Sequence, residues 1–149
     1  MEITRHLTAT IIIVHKNKTL LLLHKKIGIW LPVGGHIEQN ELPEAAALRE
    51  AKEESGLDVV LYNPDKQLEM NDAKQLVRPI HILLEDINEA RQDIDFIYYA
   101  TSTSDELNPQ TGETTNLKWF TAEELKTLEN VPINVKTTAL EALNLLSTI

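Results

Sequence analysis

The chain has no cysteine, so no disulfide can staple it and no thiolate can bind a metal. That absence fits a reducing, cytoplasmic location. No apolar run approaches the ~20 residues that span a bilayer. The first residues, MEITRHLTAT, lack a basic segment followed by a long apolar stretch, so neither a secretory signal nor a membrane partner is expected. Basic residues are in short supply, with 14 Lys and Arg against 23 Asp and Glu, a net charge of −9. This excludes non-specific binding to a nucleic-acid polymer, which needs a basic surface. The same charge would repel a phosphorylated small molecule unless bound cations intervened, since such ions are the largest local charges in a site. There is no internal repeat, linker or low-complexity tract. What remains is 149 residues, 42% hydrophobic and 25% charged, which predicts one globular domain over residues 1–149.

What the chain does have is a dense stretch from Gly35 to Leu57, GHIEQNELPEAAALREAKEESGL. Strong helix formers run through it, Asn40 suits an N-cap, Pro43 falls in a first turn and Gly56 stands where a helix ends. A helix is predicted from about Glu41 to Ser55. With Ala45 set at zero, Leu48 and Ala51 lie at about 300° and 240°, an apolar stripe expected to face the core. Glu53, Glu50 and Glu54 lie at about 80°, 140° and 180°, sharing a face opposite that stripe. Ala46, between them, is small enough to let a ligand approach. Like charges this close cost a few tenths of a kcal/mol per pair. The helix by itself leaves two readings open. One is a site for a hard divalent cation, which takes oxygen ligands; the other is a solvated acidic face partly neutralised by Arg49 and Lys52.

Spacing separates them. Gly35, five residues, Glu41, seven residues, Arg49-Glu50, Ala51, one residue, Glu53-Glu54, one residue, Gly56 and Leu57 together resemble the Nudix box at every fixed position. Seven fixed residues match a given window by chance with a probability on the order of 10⁻⁸. The resemblance implies a mixed α/β (α+β) fold, a mixed β-sheet sandwiched between α-helices. It implies hydrolysis of the pyrophosphate bond in a nucleoside diphosphate joined to another group, with Mg²⁺, or Mn²⁺, as cofactor. Glu50, Glu53, Glu54 and the Gly34 carbonyl would be the metal ligands. Arg49 would orient a helix glutamate, and Gly34 and Gly35 would let backbone approach the substrate. Glu41 would play a supporting part. The general base would be Glu113, from a later loop, or else Glu53 or Glu54.

Substrate choice narrows by absence. Fifteen residues after Leu57 stands Asp72, and Tyr62 is too near, so the proline and tyrosine that mark ADP-ribose and dinucleoside-polyphosphate subgroups are missing, as is the coenzyme A signature. A nucleoside triphosphate pyrophosphohydrolase is the default. A nucleotide-sugar hydrolase and a non-catalytic nucleotide-sensing module remain alternatives. A homodimer is one expected assembly, with no surface identified.

Elsewhere, His6–His15 and Thr19–His24 read as a hairpin of buried strands, followed by a basic loop whose Lys25 either faces a phosphate or is solvated. Trp30 is expected to pack. Leu57–Tyr62 and Leu76–Leu84 read as strands, the second bent or at an edge because of Pro79. Glu85–Arg91 reads as an acidic connection. Asp93–Ala100 alternates, with Asp93 and Asp95 facing either the substrate cleft or solvent. Thr101–Thr115 is a long loop. Asn116–Phe120 is a short strand, Thr121 to Glu124 a capping box, and Val135–Leu146 a last helix buried through Ala139, Leu143 and Leu146.

Overall fold

In the computed structural model, which describes residues 2–110 and 116–147, the β-branched stretch after the first residues forms β1 (Thr4–His15). It is followed by β2 (Lys18–His24), β3 (Ile29–Leu31), β4 (Val33–His36), α1 (Pro43–Ser55), β5 (Val59–Leu61), β6 (His81–Asn88), β7 (Arg91–Ser102), β8 (Leu117–Thr121), α2 (Ala122–Thr127) and α3 (Ile133–Leu146). All eight strands join one mixed sheet. β1 runs parallel to β7 from Thr4↔Arg91 to Val14↔Thr101. On its other side it pairs antiparallel with β2 at its C-terminal end and with β4 through Thr8↔His36 to Ile11↔Val33. β7 in turn pairs antiparallel with β5 and β6.

Successive side chains of a strand point to opposite faces, and here both faces are covered. Ile12, Val14, Ile97, Tyr99 and Phe120 pack with α2 and α3. Ile11, Ile13, Leu20, Val33 and Tyr98 pack with Ala46, Ala47 and Ala51 of α1. Burial on both sides explains why HLTATIIIVH reads as a continuous apolar run, and yields the sheet sandwiched between helices that was expected. Trp30 packs edge-on to Phe120 with ring centroids 4.9 Å apart. Among the described residues, no helix is long and apolar enough to cross a membrane.

Three expectations need correction. The strand predicted at Leu76–Leu84 begins only at His81, after Pro79, which has no N–H to offer a ladder. Glu85–Asn88 is not a connection: it continues β6, and the polar residues belong to a strand with one neighbour rather than to a loop. Asp93 and Asp95 do not lie at a solvent-facing edge. Their strand has neighbours on both sides, and they are 6% and 4% exposed.

The capping box forms as predicted: Thr121 Oγ1 accepts from the Glu124 N–H (3.2 Å), and Glu124 Oε1 accepts from the Thr121 N–H (3.0 Å). Thr121→Ala is expected to destabilise the protein by about 1 kcal/mol, read as a lower denaturant midpoint at unchanged slope.

Candidate active site

The site begins with two glycines in β4. A Cβ on Gly34 would stand 2.5 Å from the Ala9 carbonyl oxygen and 2.9 Å from Thr10 Cα, both rigid backbone. A Cβ on Gly35 would stand 2.7 Å from Glu50 Cδ. The absence of side chains here is what lets α1 lay its carboxylates directly on the strand.

The helix is turned differently from the expected orientation. Its buried residues are Ala46, Ala47, Ala51 and Ser55, while Leu48 is 41% exposed. Ala51 is buried as expected, but the inward face is rotated by roughly 50° from the predicted stripe. Ala46 is not an open gap between carboxylates but part of the core. The small alanines allow close approach to the sheet, and that approach carries Glu50 and Glu54 inward with them. Gly34 N–H donates to Glu54 Oε1 at 2.7 Å. The start also differs. Leu42, not Asn40, is the N-cap, and it has no side-chain cap. Glu41 is held outside the helix, its N–H bonded to the Glu38 carbonyl and its carboxylate committed elsewhere.

That commitment is to Arg49. The guanidinium Nε and Nη2 donate to the two Glu41 oxygens at 2.7 and 2.9 Å, a two-pronged, charge-assisted pair. Nη1 donates to Glu50 Oε1 (3.0 Å) and Glu53 Oε2 (3.2 Å), and Nη2 also reaches the His36 carbonyl (3.1 Å). Arg49 thereby holds the Glu41 carboxyl below the usual carboxylate range, and the surrounding carboxylates raise Arg49 in return. At the other end of α1, Gly56 takes a left-handed conformation (φ 79°). The Ser55 and Glu53 carbonyls accept from the Asn108 and Gln110 N–H groups.

Beside the glycines lies a cleft of about 740 Å³ on the α3 side of the sheet. Thr8, Thr10, Gly34, Gly35, Asp93, Asp95 and Glu85 line its sheet wall; Ile27, Ile29, Leu31, Pro132 and Val135 line the opposite, apolar one. Asp95 accepts from Thr8 Oγ1 (3.0 Å) and Thr10 Oγ1 (2.9 Å). Burial nevertheless raises its pKa, the hydroxyl bonds opposing that shift. Burial, together with the charges of Asp95 and Asp93, pushes Glu85 up to about 7. Asp93 pairs with Arg91 through two bonds of 3.0 and 3.1 Å. Arg91 also bonds His36 Nε2 (3.0 Å), which lies 3.1 Å from His6 Nδ1. His6, His36 and Asp93 could between them hold a metal ion, but the guanidinium already bonds two of the three.

Of the residues singled out in the sequence, the structure gathers Gly34, Gly35, Arg49, Glu50, Glu53 and Glu54 at one junction and puts Asp95 in the adjoining cleft. Lys25 is exposed in the turn after β2 and is not among the cleft-lining residues; its neighbours His24 and Ile27 are. Glu113 lies outside the described residues. Thr8, Thr10, Glu85 and Arg91 were missed. Continuing the alternation His81, Leu83, Glu85 through the acidic stretch would have found Glu85.

A model of the NUDIX domain matches residues 4–140. Among solved structures, a NUDIX-family hydrolase from Clostridium perfringens is 48% identical over 97% of this chain and 99% of its own, with a TM-score of 0.85. The MutT protein from Methanosarcina mazei Go1 is 16% identical over 97% of this chain and 96% of its own, at 0.70. An ADP-ribose pyrophosphatase from Streptococcus suis 89-1591 is 19% identical over 95% and 92%, at 0.61. These last two are similar in fold alone.

Proposed function

Because the chain belongs to the NUDIX family and is a pyrophosphohydrolase, we propose that it cleaves the pyrophosphate bond of a nucleoside triphosphate in a Mg²⁺-dependent reaction, with Mn²⁺ as the alternative ion. The observation that carries this reading is the contact between the α1 carboxylates and a strand stripped of side chains: Glu54 takes the Gly34 N–H and Glu50 lies against Gly35. Carboxylate oxygens gathered at one place are donors that a hard divalent cation takes. Glu50, Glu53, Glu54 and the Gly34 carbonyl would hold it. A divalent ion there would neutralise charge developing on the phosphates and acidify the attacking water.

The protein's own groups have distinct parts in this reading. Arg49 orients Glu50 and Glu53, and its bond to the His36 carbonyl ties the helix to the end of β4. The Gly34 N–H fixes Glu54. The two glycines leave room for phosphate oxygens beside the backbone. Glu53 has a side chain 33% exposed against 14% for Glu50. It therefore has better access to water and is the proposed proton acceptor, with Glu113 as the alternative. The whole of residues 1–149 is taken as one catalytic domain.

The test is phosphate and pyrophosphate release across canonical and oxidised nucleoside triphosphates, ADP-ribose, nucleotide sugars and dinucleoside polyphosphates, with Mg²⁺, with Mn²⁺ and with EDTA. Metal-dependent pyrophosphate release from triphosphates is expected. Turnover confined to nucleotide sugars or ADP-ribose would replace the triphosphate, and binding without turnover of any compound would make this a sensing module.

A further inference from the structure

β6 stands at an edge of the sheet. Among the described residues it pairs with β7 alone, and its other side is open. Which of its backbone groups are open follows from β7. The Tyr62 and Ile80 N–H groups donate to the Tyr99 and Ile97 carbonyls, so alternate residues of β7, Ile97 and Tyr99 among them, turn their polar groups toward β5 and β6. By register these residues face His81, Leu83 and Glu85. Ile82 and Leu84 therefore point N–H and C=O away from the sheet. Such an edge is a template for a further strand, and proteins commonly block it with Lys, Pro or a bulge. The stretch from His81 to Glu85 has none of these; the irregularity of β6 lies beyond it, between Asp86 and Asn88.

The surface beside this edge is apolar on both faces of the sheet. On the α1 side, Ile82 and Leu84 are 59% and 60% exposed. They pair with the half-buried Phe96 and Ile94, and Ile94 pairs in turn with the exposed Leu7. An uncovered apolar face thus runs three strands wide, on the side of the sheet away from the cleft. On the α3 side, Leu83 and the exposed Ile133 line a groove of about 500 Å³. A contiguous apolar patch of this kind marks an interaction surface.

We propose that a second copy of this chain covers the edge, with β6 antiparallel to β6 about a two-fold axis through Leu83. In that register Ile82 of each copy exchanges hydrogen bonds with Leu84 of the other, about four bonds in all. Side chains directly opposite share a face and interact. Ile82 meets Leu84 on the α1 side. On the other side Leu83 meets Leu83, and His81 meets Glu85, base against acid. The neighbouring registers fail. A shift of two residues one way sets Asp86 against Ile82 and Glu85 against Leu83. The opposite shift sets Glu85 against Pro79, which lies before the strand begins. Self-complementarity is what an isologous interface requires. Each copy carries a net charge of −9. Antiparallel pairing keeps the two acidic ends of β6 apart, and salt at about 0.15 M screens exposed charges beyond about 8 Å.

Sedimentation equilibrium of the full chain in about 0.15 M salt reads the assembly. At about 100 μM protein, above a micromolar Kd, the mass should approach twice 16.9 kDa and fall toward one copy on dilution. Leu84→Lys alters a side chain that is already exposed, so the fold should survive, and association should weaken about tenfold or more. The chain has no cysteine, so single cysteines report the register. Leu83→Cys sets two thiols face to face with Cα atoms about 4.5 Å apart, within reach of a disulfide, and should oxidise to a covalent dimer. Leu84→Cys sets them on a diagonal of about 7–8 Å, beyond that reach, and should not. A wild type that stays monomeric at about 100 μM would overturn the proposal and leave the edge to an extended peptide, which adds a strand in the same way. Association undiminished in Leu84→Lys, or cross-linking of Leu84→Cys in preference to Leu83→Cys, would overturn it as well.

Discussion

Glu53→Gln should lower turnover about 10³-fold, a loss of about 4 kcal/mol of transition-state stabilisation, while the melting temperature stays within about 2 °C of wild type. Phosphoryl transfer leaves little covalent chemistry to the protein, so catalysis rests on positioning and on neutralising charge. With Glu53 as one of the proposed oxygen ligands, its loss would weaken a divalent ion's hold and its alignment together. The fold gives little reason for a stability loss. Glu53 is a third exposed, and among the described residues its only side-chain bond is a 3.2 Å contact to Arg49, one turn away, a type of pair that contributes about 0.3–0.5 kcal/mol. Arg49 keeps its two bonds to Glu41 and one to Glu50. The amide also relieves repulsion among neighbouring carboxylates. Steady-state kinetics with saturating Mg²⁺, beside a calorimetric melt, separates the two effects. Wild-type turnover in the variant would sink the assignment of Glu53 to the metal site.

Gly56→Ala should have the opposite profile: a loss of about 3 kcal/mol in stability. It carries two penalties. At φ 79° an L side chain meets its own backbone, at a cost of about 1–2 kcal/mol. The new Cβ would also lie 2.6 Å from the Asn108 carbonyl carbon and 2.9 Å from its Cα, so a chain segment must shift rather than a flexible side chain. Overpacking of that kind costs about 1–3 kcal/mol. The shift would pull at the Asn108 and Gln110 N–H groups that satisfy the carbonyls of Ser55 and Glu53, carbonyls that a helix end otherwise leaves unpaired. At about 2–4 °C per kcal/mol for a chain of this size, the melting temperature should drop by about 10 °C. A variant melting within 2 °C of wild type would mean that the loop after β7 moves aside without cost.

Both predictions begin from residues visible in the linear chain. Seven fixed positions between Gly35 and Gly56 pointed to the family, and the NUDIX domain extends over residues 4–140. The strand and helix order was legible because local rules suffice for it: β-branched runs, the Thr121–Glu124 cap and the Ala139–Leu143–Leu146 stripe each act within a few residues. The prediction failed where local rules compete. An alternation that turns polar reads as a loop, so Glu85 was lost to a supposed connection. Asn40 was a good cap by type, but the chain spends that position on a turn that delivers Glu41 to Arg49.

The sequence by itself determined which residues belong to the carboxylate junction, because seven fixed residues and the helical repeat are properties of spacing alone. Only the tertiary structure decided which way α1 faces. Helical periodicity defines stripes but not which stripe is buried, and here three alanines pack closer to the sheet than Leu48 could, turning Glu50 and Glu54 onto Gly35 and Gly34. It likewise decided the meeting of Thr8, Glu85 and Asp95. Thr8 and Asp95 are 87 residues apart and meet only through the parallel register of β1 and β7, which no local rule along the chain supplies.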